Sequence, residues 1–449
     1  MKKMFSSAPE CRVFRERIQG GSVLSGLRPA AFSLLILSVL FFALPVLSAS
    51  LSDAQRFDAY LTLAEGFSEQ GDYKGALAYI EKSLPLCPPG DIQQGCELWH
   101  RKAYLHFMLE EYDKALLAAQ SALALDSGFA QAYLLRGQVY AGQGENALAA
   151  EELQLYMQLV PGDSVLLSSL GELYMSLDKF EDAIHTFTLY LSAVQQPDLR
   201  VNFLRGICLM NDGEFSAAAE DFTAASEHPE LRLEALYNRG MCWLQTQEYS
   251  KALEEFSECI AGGVQIDGLH FNRGVCYMAL SDFSKAAEDF TASLLAGQLP
   301  DESLYNRGIC YLQEENYQAS EIDFSLLMDH QTYRGNALYF RGLSRAGMEN
   351  YSSAVEDFTQ SLETEAAASW NLYQRANCFF ALRDYEKAIA DHTANIEHGE
   401  LLSLSYYGRS QCYKAQKLPD LAQADLLASL AAEEVEAAAG INPTPERSE

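Results

Sequence analysis

The feature that most constrains this chain is a period. Ala235–Ile260 reads ALYNRGMCWLQTQEYSKALEEFSECI, and close copies follow at Leu269–Leu294, Ser303–Leu326 and Ala337–Leu362. Gly240, Gly274, Gly308 and Gly342 are each 34 residues apart. The same ruler reaches back to Gly206, Gly171, Gly137, Ala103 and Ala64, and forward to Ala376 and Ser410. That makes eleven units with nine of ten spacings at 34 or 35, the exception being 39 between Ala64 and Ala103. Recurrence at this length marks an array in which each unit is one supersecondary element.

Twelve residues after each of these markers stands a second small residue: Ala76, Ala115, Ala149, Ala183, Ala218, Ala252, Ala286, Ser320, Ala354, Ala388 and Ala422. Four residues further on, most units carry a large apolar residue, among them Phe187, Phe222, Phe256, Phe290, Phe324 and Phe358. Spacings of three and four place side chains on one helical face, where small residues let two backbones approach and aromatics fill the space beside them. Short polar stretches between the halves, such as Gln70-Gly71-Asp72 and Asp212-Gly213-Glu214, suit a tight helix–helix turn. Each unit is therefore a helix, a turn and a second helix. One such pair cannot bury its apolar face alone, so neighbours must stack.

This pattern resembles the tetratricopeptide repeat. Gly240, Trp243, Tyr249, Ala252 and Phe256 stand where that family's motif residues stand, and Pro88 and Pro161 match its inter-repeat proline. The resemblance covers roughly residues 51–439. It implies an all-α, helix-turn-helix solenoid wound as a right-handed superhelix, on the order of 100 Å along its path at about 10 Å per unit.

A comparison within the chain separates structure from ligand binding. Arg136, Arg205, Arg239, Arg273, Arg307, Arg341, Arg375 and Arg409 directly precede the marker, and sixteen residues later stand Glu152, Asp221, Glu255, Asp289, Asp323, Asp357, Asp391 and Asp425. The three units without the arginine have Leu63, Lys102 and Leu170 there, with Tyr79, Ala118 and Thr186 opposite. This covariation predicts a structural ion pair between the two helices of a unit.

Residues 1–28 are basic, an apolar run follows at Ala30–Leu47, and small residues close it at Ser48-Ala49-Ser50. This is the layout of an export signal cut after Ala49 or Ser50. A retained single-pass anchor is the alternative, since 18 residues approach the lower limit for a span; either way the basic flank leaves the repeats outside the cytoplasm. The expected location is the cell envelope or the medium, with membrane contact only through an uncleaved N-terminal segment. The net charge of −30 disfavours nucleic acid and anionic lipid, and favours partners with basic patches.

Cys208, Cys242, Cys276, Cys310, Cys378 and Cys412 each lie two residues past a marker, on first helices. Equivalent helices should lie about 8–10 Å apart, too far for disulfides, so these six read as small buried hydrophobes, and Cys259 with them. Cys87 and Cys96 bracket the one long insertion and are expected to close it as a disulfide. Cys11 falls in the N-terminal segment. The last unit is degenerate, with Pro419 in place of the turn aromatic, and reads as a capping repeat; residues 440–449 read as a disordered tail.

Catalytic and cofactor signatures are absent: no phosphate-binding glycine loop, no His-Glu-x-x-His and no Gly-x-Ser-x-Gly occurs. His106 and His392 fall on core positions, and neither an enzyme, a cofactor nor a metal is expected. The remaining candidate is the groove lined by first helices. In the resembled family it includes the residues three and two before the marker. Three before stand Phe203, Tyr237, Phe271, Tyr305, Tyr339, Tyr373 and Tyr407, an unbroken aromatic row; two before stand Asn238, Asn272 and Asn306 in consecutive units. Asparagine amides can donate to and accept from an extended peptide, and the aromatics supply apolar area. The chain is expected to be an extracytoplasmic scaffold holding a peptide or partner protein in this groove. Glycan binding by the aromatic row, and a passive spacer, are the alternatives.

Overall fold

The computed structural model describes residues 51–161, 163–364 and 368–439. The expected N-terminal signal or anchor, Cys11 and the tail at 440–449 lie outside them. Apart from one 3-10 turn at Leu84–Leu86, every regular element described is an α-helix, and the helices form eleven consecutive pairs. No helix among the described residues is long and apolar enough to cross a membrane.

The pairs group into two compact units, divided between Leu231 and Arg232. In the first, α1 (Asp53–Glu69) pairs with α2 (Tyr73–Ser83), α3 (Ile92–Met108) with α4 (Tyr112–Leu125), and α5 (Ala130–Gln143) with α6 (Asn146–Leu159). Then α7 (Val165–Ser176) pairs with α8 (Phe180–Ala193), and α9 (Leu199–Asn211) with α10 (Phe215–Ala225). In the second unit α11 (Arg232–Gln245) pairs with α12 (Tyr249–Ala261), α13 (Leu269–Ala279) with α14 (Phe283–Leu295), and α15 (Pro300–Gln313) with α16 (Tyr317–Leu326). It continues with α17 (Arg334–Gly347) and α18 (Tyr351–Leu362), α19 (Ala368–Ala381) and α20 (Tyr385–His398), and α21 (Leu402–Ala415) and α22 (Pro419–Ala438).

The marker positions are small because of what lies against them. In the second unit Phe256, Phe290, Phe324 and Phe358 are fully buried. A Cβ added to Gly240 would stand 2.7 Å from the Phe256 ring, and one on Gly274 2.9 Å from Phe290. Glycine inside a helix costs about 0.5–1 kcal/mol, which burying a phenylalanine at about 1.5–3 kcal/mol outweighs. The first unit is less regular. Only Phe187 and Phe222 follow the rule there, while Ile80, Ala119 and Leu153 occupy the same position in the other pairs.

Each helix-to-helix turn passes through one left-handed residue, seven positions after the marker. Gly71, Gly144 and Gly213 take it in the first unit, with Glu110 and Asp178; Gln247, Ser281, Glu315, Glu349, Arg383 and Lys417 take it in the second. The next residue but one opens the second helix, and Asp72, Asp282, Asn316 and Asp384 cap that helix by accepting a backbone N–H three residues on.

Candidate functional site

Within each unit, first helices of successive pairs touch one another, as α11 with α13 and α15 with α17, and second helices make no comparable approach. First helices therefore line the inner side. The aromatic row occupies that side, but as rings leaning on their own second helix, most of them half-buried and Tyr339 buried. Phe203 meets Phe222 at 5.6 Å between centroids, Tyr237 meets Phe256 at 5.8 Å, Phe271 meets Phe290 at 5.5 Å and Tyr305 meets Phe324 at 6.0 Å. Tyr339 meets Phe358 at 5.9 Å, and Tyr373 meets His392 at the same distance. Only Tyr407 is open, 51% exposed, because Leu426 stands where its supporting ring would be.

The three asparagines part company. Asn272 Nδ2 donates to the Tyr237 hydroxyl at 3.1 Å and lies 3.2 Å from Met241 Sδ, so it ties its pair to the preceding one. Asn238 Nδ2 donates to the carbonyl of Glu234 in its own helix. Asn306 has no hydrogen-bond partner among the described residues. The physical reason is the preceding row member: Tyr237 has a hydroxyl for Asn272, whereas Phe271 has none to offer Asn306. The same tie recurs where sequence reasoning did not look. Gln374 lies against the Tyr339 hydroxyl and Asn336 against that of Tyr305. Burial raises the pKa of Tyr237 and Tyr305, and that of Tyr339 to about 12, so these hydroxyls stay neutral.

On one inner face each first helix also shows a stripe at spacings of four and three. In order these are Tyr237, Met241 and Leu244; Phe271, Val275 and Met278; Tyr305, Ile309 and Leu312; Tyr339, Leu343 and Ala346. Tyr373, Asn377 and Phe380, then Tyr407, Gln411 and Lys414, complete the set. Lys414 is the one charge in these six stripes. Charge is segregated across the second unit: its first helices carry three carboxylates and ten cations, its second helices seventeen and three. The acidity of the chain is thus kept off the inner face.

All eight arginine–carboxylate pairs form. Arg273 Nε and Nη2 grip the two oxygens of Asp289 at 2.7 and 2.8 Å, and Arg307 grips Asp323 in the same fork. Arg205, Arg341, Arg375 and Arg409 do likewise. The glutamates are held by one oxygen only, Glu152 by Arg136 at 2.6 Å and Glu255 by Arg239 at 2.7 Å. Burial raises the pKa of both glutamates. The fork has a third tine that sequence reasoning missed. Arg205, Arg307, Arg375 and Arg409 each direct Nη1 to a threonine on the second helix of the preceding pair: Thr188, Thr291, Thr359 and Thr393 at 3.0–3.1 Å. A signal was available, because that position is hydroxyl or amide before every arginine. It is Glu81 before Lys102, which pairs with it at 3.0 Å. The signal runs one way only, since Gln154 holds the same position before Leu170 with no arginine to meet it. These four arginines therefore staple one pair to the next and are spoken for.

Cys208, Cys242, Cys276, Cys310, Cys378 and Cys412 are buried, and burial pushes their thiols up to about 11 or 12. Cys259 is buried too and donates to the Leu233 carbonyl. The disulfide expected between Cys87 and Cys96 is not formed. Both are free thiols: Cys96 is buried on α3 with Sγ toward the Ala122 carbonyl of α4, while Cys87 ends the 3-10 turn against the Phe57 cluster. They face different pairs. Among the described residues no group of three His, Cys, Asp or Glu is placed to hold a metal.

The tetratricopeptide-repeat family model matches residues 100–164, 169–230, 209–262 and 271–327. The chain is a tetratricopeptide-repeat protein, an all-α solenoid of helix pairs. It is similar to a TPR repeat-containing protein of Methanocaldococcus jannaschii, 23% identical over 166 residues, which span 37% of this chain and only 28% of that protein. Two solved structures are similar as well. A tetratricopeptide repeat protein from Parabacteroides merdae is 21% identical with a TM-score of 0.40, over 52% of this chain and 92% of its own. YrrB, described as a TPR protein with an unusual peptide-binding site, is 24% identical with a TM-score of 0.36, over 40% and 91%. No catalytic family is indicated.

Proposed function

We propose that the chain is a protein–protein interaction scaffold whose second unit receives a segment of a partner protein on its inner face. The observation that carries this is the charge pattern: a chain of net charge −30 keeps six successive inner stripes free of carboxylate and nearly free of charge. A surface that needs only to stay soluble has no reason to do so. Basic partners would sit on the acidic second helices instead, so the segment in the groove is uncharged. Glycan stacking is disfavoured because the rings of the row pack against Phe256, Phe290, Phe324 and Phe358, which leaves them partly buried. The N-terminal segment supports export, which puts the partner outside the cytoplasm.

The test is site-specific photo-crosslinking in the producing cell. A photoreactive phenylalanine replaces Met278 or Phe380 on the inner face, and Ile322 or Leu326 on the exposed side of α16. A discrete adduct from the first two sites and none from the second two is the expected result. Adducts from Ile322 and Leu326 alone would move the site to the acidic face. Recovery of the chain inside the cytoplasm with its first 49 residues intact would end the export reading.

A further inference from the structure

Resting on that reading of the inner face, we infer that its occupant across α11, α13, α15 and α17 is an amphipathic α-helix with an uncharged apolar face, not an extended peptide. The reason is hydrogen bonding. An extended chain brings one N–H and one C=O per residue into the groove, and buried ones must be paired. The inner face has few uncommitted side-chain donors to pair those carbonyls. Asn272 Nδ2 is engaged by the Tyr237 hydroxyl, and the amides of Asn336 and Gln374 lie against the hydroxyls of Tyr305 and Tyr339. Asn238 spends its N–H group on Glu234, and Phe340 stands where a fourth amide would be. Of these amides Asn306 alone makes no side-chain hydrogen bond, and the backbone of every first helix is bonded within itself. A helical ligand needs none of these groups, since its own backbone is satisfied along its length.

The dimensions agree. First helices recur at about 8–10 Å, and a helix rises about 1.5 Å per residue. One apolar contact per pair therefore falls about every five to seven residues, and at the wide end of that range, near two helical turns, one face of the ligand meets every stripe. Four pairs take a helix of about 20 residues. At the far end the inner face changes character: Asn377, Gln411 and the exposed Lys414 replace apolar residues. The last carbonyls of a helix lack partners, and cations near them are favourable, so the ligand's C-terminus points toward α19 and α21.

Two fluorescein-labelled 21-residue peptides of leucine, alanine and glutamine decide it by anisotropy with the full chain. One carries leucine at i, i+3 and i+7 along one face; the other has the same sequence with two central residues changed to proline. The expected result is binding of the first at least tenfold tighter than the second. Its affinity should change less than twofold between 50 and 500 mM NaCl and drop at least tenfold in Met278→Glu/Leu312→Glu, checked for fold by circular dichroism. Asn306→Ala, at the free amide, should leave that affinity within twofold. Equal or tighter binding of the proline peptide, weakened by Asn306→Ala, would overturn the helical occupant and leave the groove standing. No binding by either peptide, or binding indifferent to the double substitution in folded protein, would overturn both.

Discussion

The two units solve the same packing problem with different uniformity. In the second unit all six pairs carry the arginine–carboxylate contact, five of them as a two-oxygen fork, and four carry the glycine–phenylalanine contact. In the first, two of five pairs carry the arginine–carboxylate contact, one of them as a fork, and Leu63, Lys102 and Leu170 take its place elsewhere. The fourth pair shows what the alternative looks like: Leu170 is buried, and Thr186 turns its hydroxyl back on the Asp182 carbonyl at 2.7 Å. A repeat therefore does not need the fork. It needs that no charge be left buried alone, which the fork and the leucine–threonine arrangement both achieve.

The sharpest way to break this comparison is to leave half a fork in place. Arg307→Leu strands Asp323, whose side chain is 2% exposed, and should cost about 3–5 kcal/mol in urea unfolding. Adding Asp323→Thr copies the fourth pair and should return most of that loss. Equal losses in the single and double variants would show that the fork does more than balance a charge.

The next effect is on pH. His392 fills the position that phenylalanine takes in α12, α14, α16 and α18, with Nδ1 unpartnered, and burial lowers its pKa from 6.5 to about 4. The folded state resists protonation that the unfolded chain accepts below 6.5. Stability of the second unit should therefore be full above that pH and decline on the order of 3 kcal/mol as pH falls toward 4. His392→Phe alone should lose stability against the Cβ of Ala376; with Ala376→Gly it should gain stability and flatten the pH profile between 4 and 6.5. A profile unchanged in the double variant would assign the acid sensitivity to another group.

Smaller effects separate the staples of the two units. Thr359→Val removes the hydroxyl from Arg375 and should cost about 1 kcal/mol at any ionic strength. Glu81→Gln breaks the half-exposed contact to Lys102 and should cost under about 1 kcal/mol, vanishing in high salt. A strong salt dependence at Thr359 would contradict the assignment. Smallest of all, Gln247→Gly or Lys417→Gly should stabilise by about 0.5–1 kcal/mol, because both hold left-handed conformations that Gly71, Gly144 and Gly213 accept freely in the first unit. Gly213→Ala should move the midpoint the other way.

Much of this was legible before any coordinates, and for one reason: repetition lets a chain serve as its own alignment. The helix pair, the small residues at the marker and twelve later, the buried cysteines and the eight arginine pairs all recur at fixed offsets, and offsets of three, four and sixteen translate directly into shared faces and facing helices. What the offsets could not supply was contact between pairs. Whether Asn272 was free depended on a hydroxyl 35 residues away, and Asn306 differed from it only because Phe271 replaced tyrosine. Cys87 and Cys96 sat close in sequence yet faced different pairs, and the third tine of Arg205, Arg307, Arg375 and Arg409 reached the preceding second helix. These are distances between stacked elements, which only the packed backbone sets. Local pattern fixed what each repeat is; the stacking of one repeat on the next decided which of its polar groups remain to meet a partner.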